Sequence, residues 1–165
     1  MPRTRILVLA NRTIESDALA EHLLARATRE QVEVTLLVPG PLSGREDARR
    51  RLDAAVERLR ADGLTAEGLI GAESPLVAVQ EEYDNRAYDE VIVATLERGH
   101  SSWLATGLPA RVQQATGAVV HHLAVPRAQA AILPEHIERE QASLLEGLLD
   151  ELHVDTNREA GPLRG

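Results

Sequence analysis

Five short apolar runs, each separated from the next by a turn and by residues spaced for a helix, decide what this chain can fold into. The runs are "RILVLA" at 5–10, "VEVTLLV" at 32–38, residues 66–71, "VIVA" at 91–94 and "AVVHHLAV" at 118–125. Short, near-continuous apolar runs belong to strands covered on both faces, as in a parallel sheet. Between them the apolar residues return at helical spacing. Ser16 and Asp17 open one helix, with Leu19, Leu23, Leu24 and Ala27 on one face and Arg26 and Arg29 near its end. The stretch "GREDARRRLDAAVERLRAD" at 44–62 forms a second, and Gly63 ends it. Ser74-Pro75 opens a third as a cap followed by proline, carrying Leu76, Val79 and Tyr83 inward. Residues 109–116, closed by Gly117, make a fourth.

Strand and helix in strict alternation imply a parallel sheet with right-handed crossovers and helices on both faces, a doubly wound α/β fold. Ligands in such folds sit beyond the carboxyl ends of the strands, where the strand order reverses. That rule selects Asn11-Arg12-Thr13 and the loop after Ala94. The pattern breaks after Pro126, so residues 1–126 are expected to form the α/β domain and 127–165 a C-terminal extension. Within the extension, 134–152 carries Ile137, Gln141, Leu144, Leu145, Leu148, Leu149 and Leu152 on one stripe of an amphipathic helix. It is expected to pack on its own domain or on a partner subunit. Residues 155–165 read as a polar tail.

A chain of 165 residues with a formal charge of −8 has no general affinity for nucleic acid or anionic membrane. Its 2% aromatic content leaves no base-stacking platform, and its core must be aliphatic. No apolar run approaches membrane-spanning length, and the cytoplasm is the expected compartment. Every basic residue is arginine and there is no cysteine, which removes lysine-dependent and thiolate chemistry. Arg49-Arg50-Arg51 stands among Glu46, Asp47, Asp53 and Glu57 and reads as a solvated helix face.

The stretch "VIVATLERGHSSWLATGLPARV" at 91–112 has the order of a phosphate site: buried strand, small-residue loop, helix entrance. Backbone amides reach an anion only where side chains stand aside, so such a loop wants glycines at the approach and a hydroxyl at the helix entrance. This one offers Gly99 and Gly107 but also Glu97 and Leu108. A carboxylate about 4 Å from a phosphate repels it by roughly 4 kcal/mol at an effective dielectric near 20. Gly99, Ser101 and Ser102 are a candidate shifted anion nest, against the plainer alternative of an exposed turn.

Three stretches in this order, "ILVLANRTIES", "GAESPLVAVQEEYDNRAYDEVIVAT" and the loop above, resemble the universal stress protein family over residues 3–126. The resemblance implies a five-stranded sheet in the order 3-2-1-4-5. Nucleotide-binding members use an Asp ending the first strand, a backbone contact near the end of the second, and a loop G-x2-G-x9-G-[ST]. Carried over, the Asp becomes Asn11 and the second contact falls at Val38. The glycines become Ala94, Glu97 and Gly107, and the hydroxyl becomes Leu108. Spacing survives and the chemistry does not.

The resulting expectation is a universal-stress-protein-like chain with no cofactor, acting through homodimerisation or a protein partner in a stress response. The family dimerises through its fifth strand, so "AVVHHLAV", with the C-terminal helix, is the candidate interface. His121 and His122 there point to opposite sheet faces and cannot share one metal ion. The alternative is a regulatory module holding ATP, AMP or a cyclic nucleotide by non-standard contacts from Asn11, Arg12, Val38, Ala94, Gly99 and Gly107, with Trp103 as a cover. Catalysis is not expected. His100, Ser101 and Ser102 are adjacent without an orienting carboxylate, and Glu135-His136 and His153 lack metal-binding spacing.

Overall fold

The computed structural model describes residues 2–41, 43–97 and 101–130. In chain order these form β1 (Arg3–Leu9), α1 (Asp17–Ala27), β2 (Gln31–Pro39), α2 (Arg45–Ala61), β3 (Thr65–Gly71), α3 (Pro75–Asn85), β4 (Glu90–Leu96), α4 (Ser102–Ala105), α5 (Leu108–Thr116) and β5 (Val119–Val125). A short 3-10 turn, Arg127–Gln129, follows. The strands are all parallel and lie in the expected order β3-β2-β1-β4-β5.

Residue parity along each strand divides the core into two layers. Ile6, Val8, Val34, Leu36, Ile92 and Ala94 turn to one side, against Leu19 and Leu23 of α1 and Leu52, Val56 and Leu59 of α2. Leu7, Leu9, Leu37, Val91 and Val93 turn to the other, against Val79 of α3, Trp103 of α4 and Leu108 and Val112 of α5. Almost all of it is aliphatic, and each fully buried Leu, Ile or Val contributes about 1.5–3 kcal/mol.

Helix ends are set by local chemistry. The Ser16 hydroxyl accepts the Leu19 amide at 3.2 Å and starts α1, with Asp17 in the first turn and Arg26 in the last. At the end of α2, Gly63 takes φ +91°, and its amide donates to the Arg60 carbonyl while that of Leu64 donates to Leu59. This paired closure needs a left-handed residue, and Leu59 and Leu64 pack beneath it.

Several local expectations change. Ala27, the last residue of α1, is exposed, and Ala20 is buried in its place. Pro75 does open α3, but the Ser74 hydroxyl makes no capping bond. Strand β4 runs two residues past Ala94, because Thr95 and Leu96 pair with Ala124 and Val125 of β5. The one-turn helix α4 was not anticipated. The predicted helix at 134–152 and the tail after it lie outside the described residues.

Candidate functional site

The carboxyl ends of β1 and β4 are neighbours at the centre of the sheet, with Leu9 beside Val93. The chain leaving β1 crosses to the face covered by α1, and the chain leaving β4 crosses to the face covered by α4 and α5. Strand order reverses here, which is where doubly wound folds form their ligand crevice, between the two exits. One wall is the turn at 11–15, closed by the Ile14 amide on the Asn11 carbonyl at 3.2 Å and the Ser16 amide on the Thr13 carbonyl at 3.1 Å. The Thr13 hydroxyl donates to the Ala94 carbonyl at 2.9 Å, tying that turn to β4. Thr13 is buried, so this bond is shielded from water.

The sequence-predicted residues distribute unevenly around this crevice. Asn11 is buried in the turn and Arg12 partly buried beside it. The side chains of Val38 and Ala94 belong to the core under α1 and α2, so only their backbones can face a ligand, and the Ala94 carbonyl already accepts from Thr13. Gly107 precedes α5 with φ +67°, a left-handed conformation suited to glycine. Gly99 lies outside the described residues, as do Arg98 and His100. Glu97 is exposed, with its amide donating to the Val125 carbonyl at 3.0 Å. Leu108 opens α5 with its side chain in the core, where a hydroxyl would have faced the helix entrance.

Residues 101–102 open helix α4 and not an exposed turn: the Ser101 hydroxyl caps it by accepting the Leu104 amide at 3.3 Å, and the third member of the candidate nest, Gly99, lies outside the described residues. Four amides of this segment are engaged within the protein. That of Ala105 donates to Ser101, that of Thr106 to Ser102, that of Gly107 to Leu104, and that of Arg111 to Gly107. Pro109 has none to offer. The turn also drives Trp103 into the core, 6% exposed, which removes it as a ligand cover.

No family model and no curated protein matches the sequence. Solved structures do match in shape. A universal stress protein from Archaeoglobus fulgidus aligns at 20% identity with TM-score 0.53, over 72% of this chain and 92% of that one. The fold is that of the universal stress proteins. Another universal stress protein, in complex with cAMP, aligns at 17% identity with TM-score 0.52, over 73% and 96%. An AMP-bound universal stress protein family member from Arabidopsis thaliana aligns at 16% identity with TM-score 0.53, over 76% and 94%. At these identities the likeness concerns architecture, and the site chemistry of this universal-stress-protein fold must be read from its own residues.

A second polar cluster, absent from the sequence-based reading, lies at the opposite, amino end of β4. Glu90 is 7% exposed, yet its carboxylate meets the Arg26 guanidinium at 2.5 Å and His121 Nε2 at 3.0 Å. Arg26 also holds Glu30 at 2.6 Å, and the Thr4 hydroxyl donates to Glu30 at 2.6 Å. Hydrogen bonds from Thr4 and then Arg26 keep the Glu30 carboxyl below the usual carboxylate range. His22 is shifted down, first by burial and then by the positive charge of Arg26 and the nearby His121, with Glu90 opposing. The spacing of Arg26 and Glu30 is legible as a helical pair. Nothing local says that Glu90, on a strand, will lie under α1. Among the described residues no three potential ligands are grouped to hold a metal ion.

Proposed function

We propose that this universal-stress-protein-fold chain works by associating with a second copy of itself along β5, in a cytoplasmic stress response, and does not take up ATP through the glycine-loop route. The carrying observation is the composition of that edge. Among the described residues β5 pairs on one side only, with β4, and its seven residues include no Lys, Arg, Asp, Glu or Pro. Such residues ordinarily keep a sheet edge from pairing with another chain. The other edge strand, β3, has them: Glu67 forms an ion pair with Arg86 and accepts from Thr35. A two-fold axis through β5 would continue the sheet into the partner and satisfy both free edges at once. The Leu108 side chain at the helix entrance, turned into the core, and the carboxylate at Glu97 support the negative half of the proposal.

A second reading, an adenine nucleotide held by other contacts, has its own support. The crevice places the Asn11 side chain, an amide able to donate and accept, near the strand-order reversal. Structural neighbours carry cAMP, AMP and dAMP. Two measurements separate the readings. Analytical ultracentrifugation is expected to find a dimer that the edge substitution V119K abolishes, and calorimetry to find no saturable heat with ATP and magnesium. Micromolar ATP uptake lost on altering Gly107, or a monomer at all concentrations, would overturn the proposal. No catalytic step is assigned: the Ser101 hydroxyl is occupied in capping α4.

A further inference from the structure

Of the ionisable side chains on the described structure, only two lie along β5, and both are histidines at its middle. The strand runs Val119–Val125, so His122 is its midpoint and His121 is adjacent. They project to opposite faces, which puts different surroundings against each. His121 sits on the α1 face, beside Ile92 in register, with its ring nitrogen 3.0 Å from Glu90. Facing it from α1 are His22 and Arg26, and the other charged residues of that helix are Asp17 and Glu21. His122 sits on the opposite face, beside Val93, with Nε2 2.7 Å from the Thr95 hydroxyl. That hydroxyl also lies 2.9 Å from the Leu96 carbonyl, to which it can donate. The only charged residue of α5, which packs on this face, is Arg111, and at the strand ends stand Glu97 and Arg127. Among the described residues no carboxylate is placed to receive a charge on His122.

An antiparallel, two-fold pairing centred on the strand sets His122 directly opposite its own copy and His121 opposite the partner's Leu123. Directly opposed residues lie about 5 Å apart, and like charges there oppose pairing. While His122 is uncharged the edge is open to a partner. Once protonated, it becomes the charged edge residue that the strand otherwise lacks.

We propose that self-pairing along β5 is gated by acid, with protonation of His122, set against its own copy, separating the dimer. This rests on the self-association reading above and deepens it by naming its regulation. Burial lowers the proton affinity of His122, which places the transition below the ordinary histidine value of 6.5.

The test is sedimentation equilibrium of the full chain at about pH 8 and about pH 5.5, with circular dichroism confirming that the fold persists at both. The wild-type dissociation constant is expected to rise by at least about tenfold in acid. H122Q is expected to remove that rise, while V119K stays monomeric at both. A wild-type dimer equally tight at both pH values overturns the gate and leaves self-association standing. A rise that persists in H122Q likewise overturns the histidine assignment. A folded wild type that is monomeric even at the higher pH overturns the self-association reading itself.

Discussion

Removing the Glu90 carboxylate tests whether the buried charge cluster holds α1 to the sheet. The Glu90 side chain is 10% exposed and that of Arg26 24%, so their contact at 2.5 Å is largely shielded from solvent. Breaking a buried pair from one side typically costs about 3–5 kcal/mol, because the remaining charge loses its partner. Arg26 keeps Glu30 at 2.6 Å, which places E90A at the low end of that range, about 3 kcal/mol. E90Q retains the volume and one acceptor for the guanidinium, so it forfeits mainly the charge-assisted part, about 1.5 kcal/mol. For a domain of this size each kcal/mol moves Tm by roughly 2–4 °C, so E90A should melt about 6–12 °C lower. Urea unfolding gives the free energies and calorimetry the melting temperatures. The double variant E90L/R26M should recover most of the loss, since an apolar pair of similar volume avoids desolvating either ion. E90A within about 0.5 kcal/mol of wild type would refute the reasoning. A double variant no more stable than E90A would show that packing, not charge, was lost.

Four further outcomes follow from particular contacts. T13V keeps shape but leaves the Ala94 carbonyl without its 2.9 Å donor, and should cost about 1–3 kcal/mol and speed amide exchange in the turn at 11–15. G68A would place a Cβ 2.8 Å from Leu52 Cγ and 2.9 Å from Val56 Cγ2, so overpacking between β3 and α2 should lower urea stability by about 1–3 kcal/mol. Burial, and then the Glu82 carboxylate, push the Tyr88 phenol from 10.0 up to about 12. The folded state therefore holds this proton more tightly, and its stabilisation is full below pH 10 and lost as pH rises through about 12; an alkaline absorbance titration of the folded chain should show that ionisation, and Y88F should remove it. His22 and His122 are shifted below 6.5, so the unfolded chain binds more protons just below that value, and stability should fall as pH drops through it; H22Q/H122Q should flatten this part of the Tm profile, leaving the later loss that Glu30 and Glu33 contribute as they protonate.

Much of the architecture is legible because it follows from local rules that packing does not override. Short apolar runs and helical spacings identify every strand and the four longer helices, and their alternation implies the parallel, doubly wound sheet. Ser16, Gly63 and Gly117 end their helices for reasons visible in their own residue types. The failures are cooperative. Residues 102–105 show no helical apolar stripe, and α4 forms because Trp103 has a core to enter and Ser101 a free amide to cap. Thr13 is ordinary in a turn, and only the neighbouring carboxyl end of β4 makes its hydroxyl a cross-link. Glu90 precedes an apolar run, where a carboxylate reads as solvent-facing. It is buried because α1 brings Arg26 over it from sixty-odd residues away in sequence, a placement that depends on the whole fold.

The loop after β4 and the length of that strand are linked through residues 94–97. A glycine at position 94 and another at 97 would favour leaving the sheet there, since glycine weakens a strand and frees the chain to turn. With Ala94 buried and Glu97 in place of those glycines, β4 continues through Thr95 and Leu96 and the Glu97 amide still bonds to β5. Thr95 and Leu96 thereby belong to the sheet and not to the segment that leads into α4. The same extension gives β5 a full-length partner as far as Val125, and it supplies the Thr95 hydroxyl that holds His122.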